Sequence, residues 1–89
     1  MSCGSCGGRS EVTSTDDFLN QVRAEAIRAR KLYGSFHSSH EAYAVMAEEL
    51  DEFFQYVKKT HSRTVPSGAR KELVQLAAMA LCTYVEVVE

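Results

Sequence analysis

The 89-residue sequence has one Pro and five Gly, a scarcity of chain-breaking residues that argues for long regular elements. It lacks any run of about eighteen apolar residues, so no segment reads as a membrane span. It also lacks a basic surplus. Lys and Arg number 10 against 12 Asp and Glu, and a formal charge of −2 gives no electrostatic footprint for a nucleic-acid polymer. Cys is sparse and odd in number, at 3, which implies no disulfide framework. The first residues lack the apolar stretch of a signal peptide, so a cytoplasmic location is expected. What is present is a 45% apolar composition, the mark of a globular chain. A chain this short makes one small domain whose core is marginal alone.

Residues 1–13 are rich in Ser, Gly and Cys and are expected to form a flexible tail. Within "SCGSCGG", Cys3 and Cys6 have the C-x-x-C spacing of half a zinc site or a redox pair. No second Cys or His pair follows at zinc-finger spacing, and no strand-helix context surrounds the motif. The plainer reading is a tail carrying two thiols. Cys82 lies in an apolar run and reads as a small core residue.

The domain, residues 14–89, shows helical periodicity in three segments and no strand-like alternation. The first helix is expected from Asp16, capped by Ser14 or Thr15, with Asp16 and Asp17 at the positive end of the helix dipole. Its apolar face is Phe18, Leu19, Val22, Ala26, Ala29 and Tyr33, and Gly34 is its stop. The second is expected from residue 39 to about 60, with Ser38 and Glu41 as a capping box. Its core face is Tyr43, Met46, Leu50, Phe53 and Val57, flanked by Ala42 and Phe54. After "THSRTVPSGAR", Ser67 is expected to cap a third helix over residues 68–87. Between Leu73 and Cys82 that helix is apolar nearly all round, interrupted by Gln75. Such a helix is surrounded by others, and two partners in one short chain hardly suffice. The expected architecture is therefore all-α: a three-helix chain with a helical-hairpin core that oligomerises into a four-helix-type bundle, as a homodimer or homotetramer.

The stretch "EELDE" sets Glu48, Glu49, Asp51 and Glu52 beside the apolar seam of the second helix. Glu49 and Glu52, three residues apart, share a face. On the third helix Glu72 and Gln75 form a second such pair. If the two helices are antiparallel neighbours, both pairs meet in one cleft. Carboxylates brought together raise each other's pKa and destabilise the fold unless a cation joins them. A hard divalent ion with oxygen ligands resolves the conflict, and Mg²⁺ shares its shell with phosphate. The competing explanation is a solvated acidic face, the usual role of such runs. Against it, Gln75 interrupts the most apolar stretch, where an unpaired amide is costly. Asp51 falls off the acidic side and reads as a surface acid.

"EELDE" followed by "KELVQLAAMAL" resembles the MazG-like all-α nucleoside triphosphate pyrophosphohydrolases, whose signature is EExxE, a gap, then ExxD. Glu48, Glu49 and Glu52 match EExxE, and Glu72 opens the second motif. The lead-in "HSSHEAYAVMAEELDE" extends the likeness, which covers roughly residues 36–86. Gln75 stands where the family has Asp. The resemblance implies Mg²⁺, or Mn²⁺, held by Glu49, Glu52, Glu72 and Gln75, with Glu48 as the candidate base. It implies a nucleoside triphosphate substrate split into monophosphate and pyrophosphate. Phosphates also need cationic partners, for which Lys31, Arg70 and Lys71 are the candidates, with Lys58 and Lys59 further along. Two other readings stand beside this one: a noncatalytic helical dimer of the same fold, which the uncharged Gln75 favours, and a thiol or metal function of the Cys3–Cys6 tail.

Overall fold

The computed structural model describes residues 15–89. The tail with Cys3 and Cys6, and Ser14 as a cap, lie outside the described residues. Three helices follow in order, α1 (Thr15–Tyr33), α2 (Ser39–Val57) and α3 (Ala69–Glu86), and the described residues contain no strand. None of these helices is long and apolar enough to cross a membrane.

The ends of the helices show local chemistry at work. Gly34 closes α1 with φ +74 and donates its N–H to the Arg30 carbonyl at 3.0 Å, a backbone conformation that glycine adopts without a Cβ clash. Ser38 caps α2, its Oγ accepting from Glu41 N–H at 3.1 Å. The Glu41 carboxylate reaches one residue further back than a capping box requires, accepting from His37 N–H at 2.6 Å. α2 ends at Val57, earlier than the periodicity indicated, and Lys58 to Thr60 continue as a tight turn with Thr60 N–H on the Val57 carbonyl at 3.3 Å. Ser67 is not the side-chain cap of α3. Gly68 occupies that position with helical backbone angles and no side-chain bond. The carbonyls of Pro66 and Ser67 instead accept from Ala69 and Arg70 N–H at 3.0 Å each, a turn that the rigid Pro66 helps set.

α3 packs against both other helices, while the backbones of α1 and α2 do not approach each other closely. α2 and α3 run antiparallel, with Thr83 Oγ1 beside the Met46 sulfur at 3.8 Å towards one end and Glu72 near Glu49 and Glu52 towards the other. The shared core is small: Val22, Ala26 and Ala29 from α1 meet Ala78, Met79 and Cys82 from α3, with Phe36, Val45, Met46, Val74 and Ala77 packed around them. Cys82 is buried and free, as its apolar setting indicated.

The apolar faces differ from expectation in an instructive way. On α1 only the middle of the stripe is covered, and Phe18, Leu19 and Tyr33 are exposed. On α2 the residue wholly buried is Ala42, while Tyr43, Leu50, Phe54 and Val57 are exposed. The contact face of α2 is thus rotated towards Ala42, Val45, Met46 and Glu49, the residues whose small or flexible side chains let α3 approach. Leu73 is exposed as well.

One polar knot ties the chain ends of the helices together. Glu86 Oε1 accepts from Arg30 Nη1 at 2.9 Å and from the Phe36 N–H at 3.0 Å, and the Arg30 guanidinium lies 4.9 Å from the Phe36 ring centroid. This fastens α1, the α1–α2 connector and α3 at a part-buried site, where charged hydrogen bonds weigh more than at the surface. Glu86→Ala is expected to destabilise the protein by about 2 kcal/mol, because it leaves Arg30 and the Phe36 N–H without an acceptor. Glu86→Gln, which keeps the acceptor oxygen, is expected to cost less. Urea unfolding followed by circular dichroism measures both.

Candidate metal centre

The acidic face of α2 meets α3 through Glu49, which sits on the rotated contact face and is half-buried. Glu52, one turn further on, is exposed, and Glu72 comes from the first turn of α3 and is half-buried. One carboxylate oxygen from each lies within 4.8 Å of the others. The antiparallel pairing of α2 with α3 makes this meeting possible, because it lays the start of α3 beside the second half of α2.

The electrostatics of the cluster are unfavourable without a cation. Burial, then the charges of Glu52, Glu72 and Glu48, push the Glu49 carboxyl up to about 7. Burial and the neighbouring Glu52 carboxyl raise Glu72 as well, and Lys71 only partly offsets this. Glu49 Oε1 and Glu72 Oε1 are each buried with no hydrogen-bond partner. Orphaned acceptors of this kind are costly.

The other expected site residues divide. Glu48 is exposed and stands close enough for its charge to act on Glu49. Arg70 is exposed at the start of α3. Lys71 acts on Glu72 electrostatically, and it also lines the α1–α3 groove with Gln21, Glu25, Arg28 and Gln75. Gln75 is therefore placed on the side of α3 that meets α1. Lys31 lies against Ile27, Leu81 and Val85 at the other end of α3. Leu81 is nine residues beyond Glu72, roughly 14 Å along a helix. Within one chain, Lys31 does not belong with the carboxylates. Asp51 is exposed, as expected.

Glu52 has a second neighbourhood. With Gln55, Tyr56 and Lys59 of α2 and its C-terminal turn, and with Thr60 and Pro66 of the connector, it lines a cavity of about 510 Å³. Periodicity alone does not reveal this cavity, because it arises where the connector folds back over the end of α2. The signals were Pro66 and Gly68, which mark the turn.

The chain matches no family model, no curated protein and no solved structure.

The raised Glu49 fixes the sign of a pH effect. Its folded-state value lies above the ordinary 4.5, so the folded protein holds a proton that the unfolded chain has released. The contribution of Glu49 to stability then falls as pH rises from about 4.5 to about 7, and the raised Glu72 acts in the same sense. Glu25 and Glu41 are lowered by Arg28 and by the His37 N–H respectively, and act below that window in the opposite sense. In EDTA, Glu49→Gln is expected to melt higher than the parent at pH 7.5 and to lose that advantage at pH 4.5. An equal or lower melting temperature for the variant at pH 7.5 would show that Glu49 carries no such penalty.

Proposed function

We propose that the protein is a cytoplasmic, Mg²⁺-dependent nucleoside triphosphate pyrophosphohydrolase of the MazG-like all-α kind, working as a homodimer or larger assembly. The observation that carries this reading is the cluster of Glu49, Glu52 and Glu72 with its two orphaned buried oxygens. These are residues of the EExxE and second-motif pattern, brought together from two helices.

The donor set fits a hard cation. Opposite ligands of an octahedral Mg²⁺ shell stand about 4.2 Å apart, and the three carboxylate oxygens, within 4.8 Å of one another, would need only a small side-chain adjustment to reach that spacing. Their negative charge and their exposure through Glu52 leave room for water and phosphate in the rest of the shell. Mg²⁺ or Mn²⁺ bound here supplies charge neutralisation and a more acidic water.

The chain's own residues do the remainder. Glu49, Glu52 and Glu72 anchor the site and fix where the triphosphate docks. Glu48, beside Glu49, accepts the proton of the attacking water. The water oxygen bonds to the α-phosphorus as the bond to the α–β bridging oxygen breaks, so monophosphate and pyrophosphate leave. Arg70 and Lys71 stand nearest to Glu72 in sequence and meet the phosphate charge.

Assembly follows from the same packing. Among the described residues no large side chain is fully buried, and Leu19, Ile27, Tyr43, Leu50, Phe54 and Val85 are exposed. Large apolar side chains left in water are a surface that a second copy can cover, which would complete the bundle.

A second reading keeps the fold and the assembly without catalysis, as an interaction module. Gln75 favours it, being uncharged where the family has Asp and lining the α1–α3 groove.

The deciding assay is incubation with a panel of nucleoside triphosphates and Mg²⁺, with monophosphate resolved from diphosphate. Turnover to monophosphate and pyrophosphate is expected, with a loss of about 100-fold or more in Glu49→Gln/Glu52→Gln, in line with removal of a metal's charge stabilisation. No turnover with any triphosphate at high enzyme concentration refutes the enzyme in favour of the module. Light scattering is expected to give a dimer or larger, and a stable monomer would contradict the assembly.

A further inference from the structure

An open cavity adjoins the acidic cluster through Glu52. Its volume of about 510 Å³ falls in the range of roughly 300–1,000 Å³ that small-molecule sites occupy. It is built on a held frame. Thr60 Oγ1 accepts from Ser62 N–H at 3.2 Å, and Ser62 Oγ donates to the Thr64 carbonyl at 2.7 Å, which pins the connector. Tyr56 lies against the turn into α3, where a Cβ on Gly68 would stand 3.3 Å from the tyrosine hydroxyl and 3.5 Å from Cε1. The absence of a side chain at Gly68 lets the backbone close on the ring and fix it.

Resting on the pyrophosphohydrolase reading, we propose that this cavity is the nucleobase subsite and that Lys59 selects bases that carry a ring carbonyl, such as uracil and guanine, over adenine. Glu52 joins the two places, since it belongs both to the carboxylate cluster and to the cavity wall. A triphosphate docked at the cluster leaves its nucleoside to fill the adjoining space. The flat apolar groups there are the Tyr56 ring and the Pro66 ring, suited to the faces of a base. The Gln55 amide offers a donor and an acceptor for its edge, while the Lys59 ammonium only donates. A donor without acceptor capacity is matched by a carbonyl oxygen. At the edge where uracil presents O4 and guanine O6, adenine carries its amino group, which meets Lys59 donor against donor and leaves only ring nitrogens as acceptors.

The test uses the full chain and nucleosides, which lack phosphate. Uridine, guanosine and adenosine are titrated in EDTA while the Gln55 side-chain amide and the Tyr56 ring are followed by NMR. Uridine and guanosine are expected to shift both signals, with adenosine at least fivefold weaker, and Lys59→Met is expected to abolish the preference. In turnover, Lys59→Met and Gln55→Leu are expected to raise KM for UTP and GTP about tenfold with kcat unchanged, the size expected when a hydrogen bond to the substrate is lost. Shifts confined to other residues, equal binding of adenosine, or a Lys59→Met effect on triphosphates but not on nucleosides would each overturn the proposal. Should no triphosphate be hydrolysed, the enzyme reading falls, and the nucleoside titration alone still decides the subsite.

Discussion

Everything distinctive in this small fold depends on one unfavourable contact, the meeting of Glu49 and Glu72 carboxylates in the α2–α3 seam. Two buried oxygens there have no hydrogen-bond partner. Two helices that needed only to pack would place Ala or Leu at such positions. The chain instead brings three acids within 4.8 Å of one another and raises the Glu49 carboxyl to about 7. A fold of this size has little stability to spare.

The seam also explains the proportions of the rest. Its close approach relies on small side chains, with Ala42, Ala69 and Ala78 nearly inaccessible. Small residues let backbones come together but bury little apolar area, so the single chain is left with large side chains in water. The Arg30–Glu86–Phe36 knot fastens α1 and the connector to α3 at one end. At the other end, Gly68 and Pro66 let the connector close over Tyr56 and form the cavity beside Glu52.

Much of this was legible in the sequence. Three helices, the stop at Gly34, the Ser38 cap and buried Cys82 follow from local chemistry, and the structure has them. The grouping of Glu49, Glu52 and Glu72 was legible too, because i, i+3 spacing fixes a shared face and antiparallel pairing does the rest. The packed face of α2 was not. That helix has two apolar stripes, and periodicity weights them by size. It therefore favours Tyr43, Leu50 and Val57 over Ala42 and Val45. Which stripe meets α3 is decided by how closely the backbones can approach, a tertiary quantity. Gln75 is a similar case. Its spacing from Glu72 suits a shared face, but a step of three residues falls short of a full turn, and on a central helix that difference turns it towards α1.

The most direct test of the central claim is anomalous scattering from crystals grown with millimolar Mn²⁺. A peak coordinated by carboxylate oxygens of Glu49, Glu52 and Glu72, lost in Glu49→Gln, is the predicted result. Clear density for the three side chains with no peak between them would contradict the account, and the orphaned carboxylates would then be an uncompensated cost of the fold.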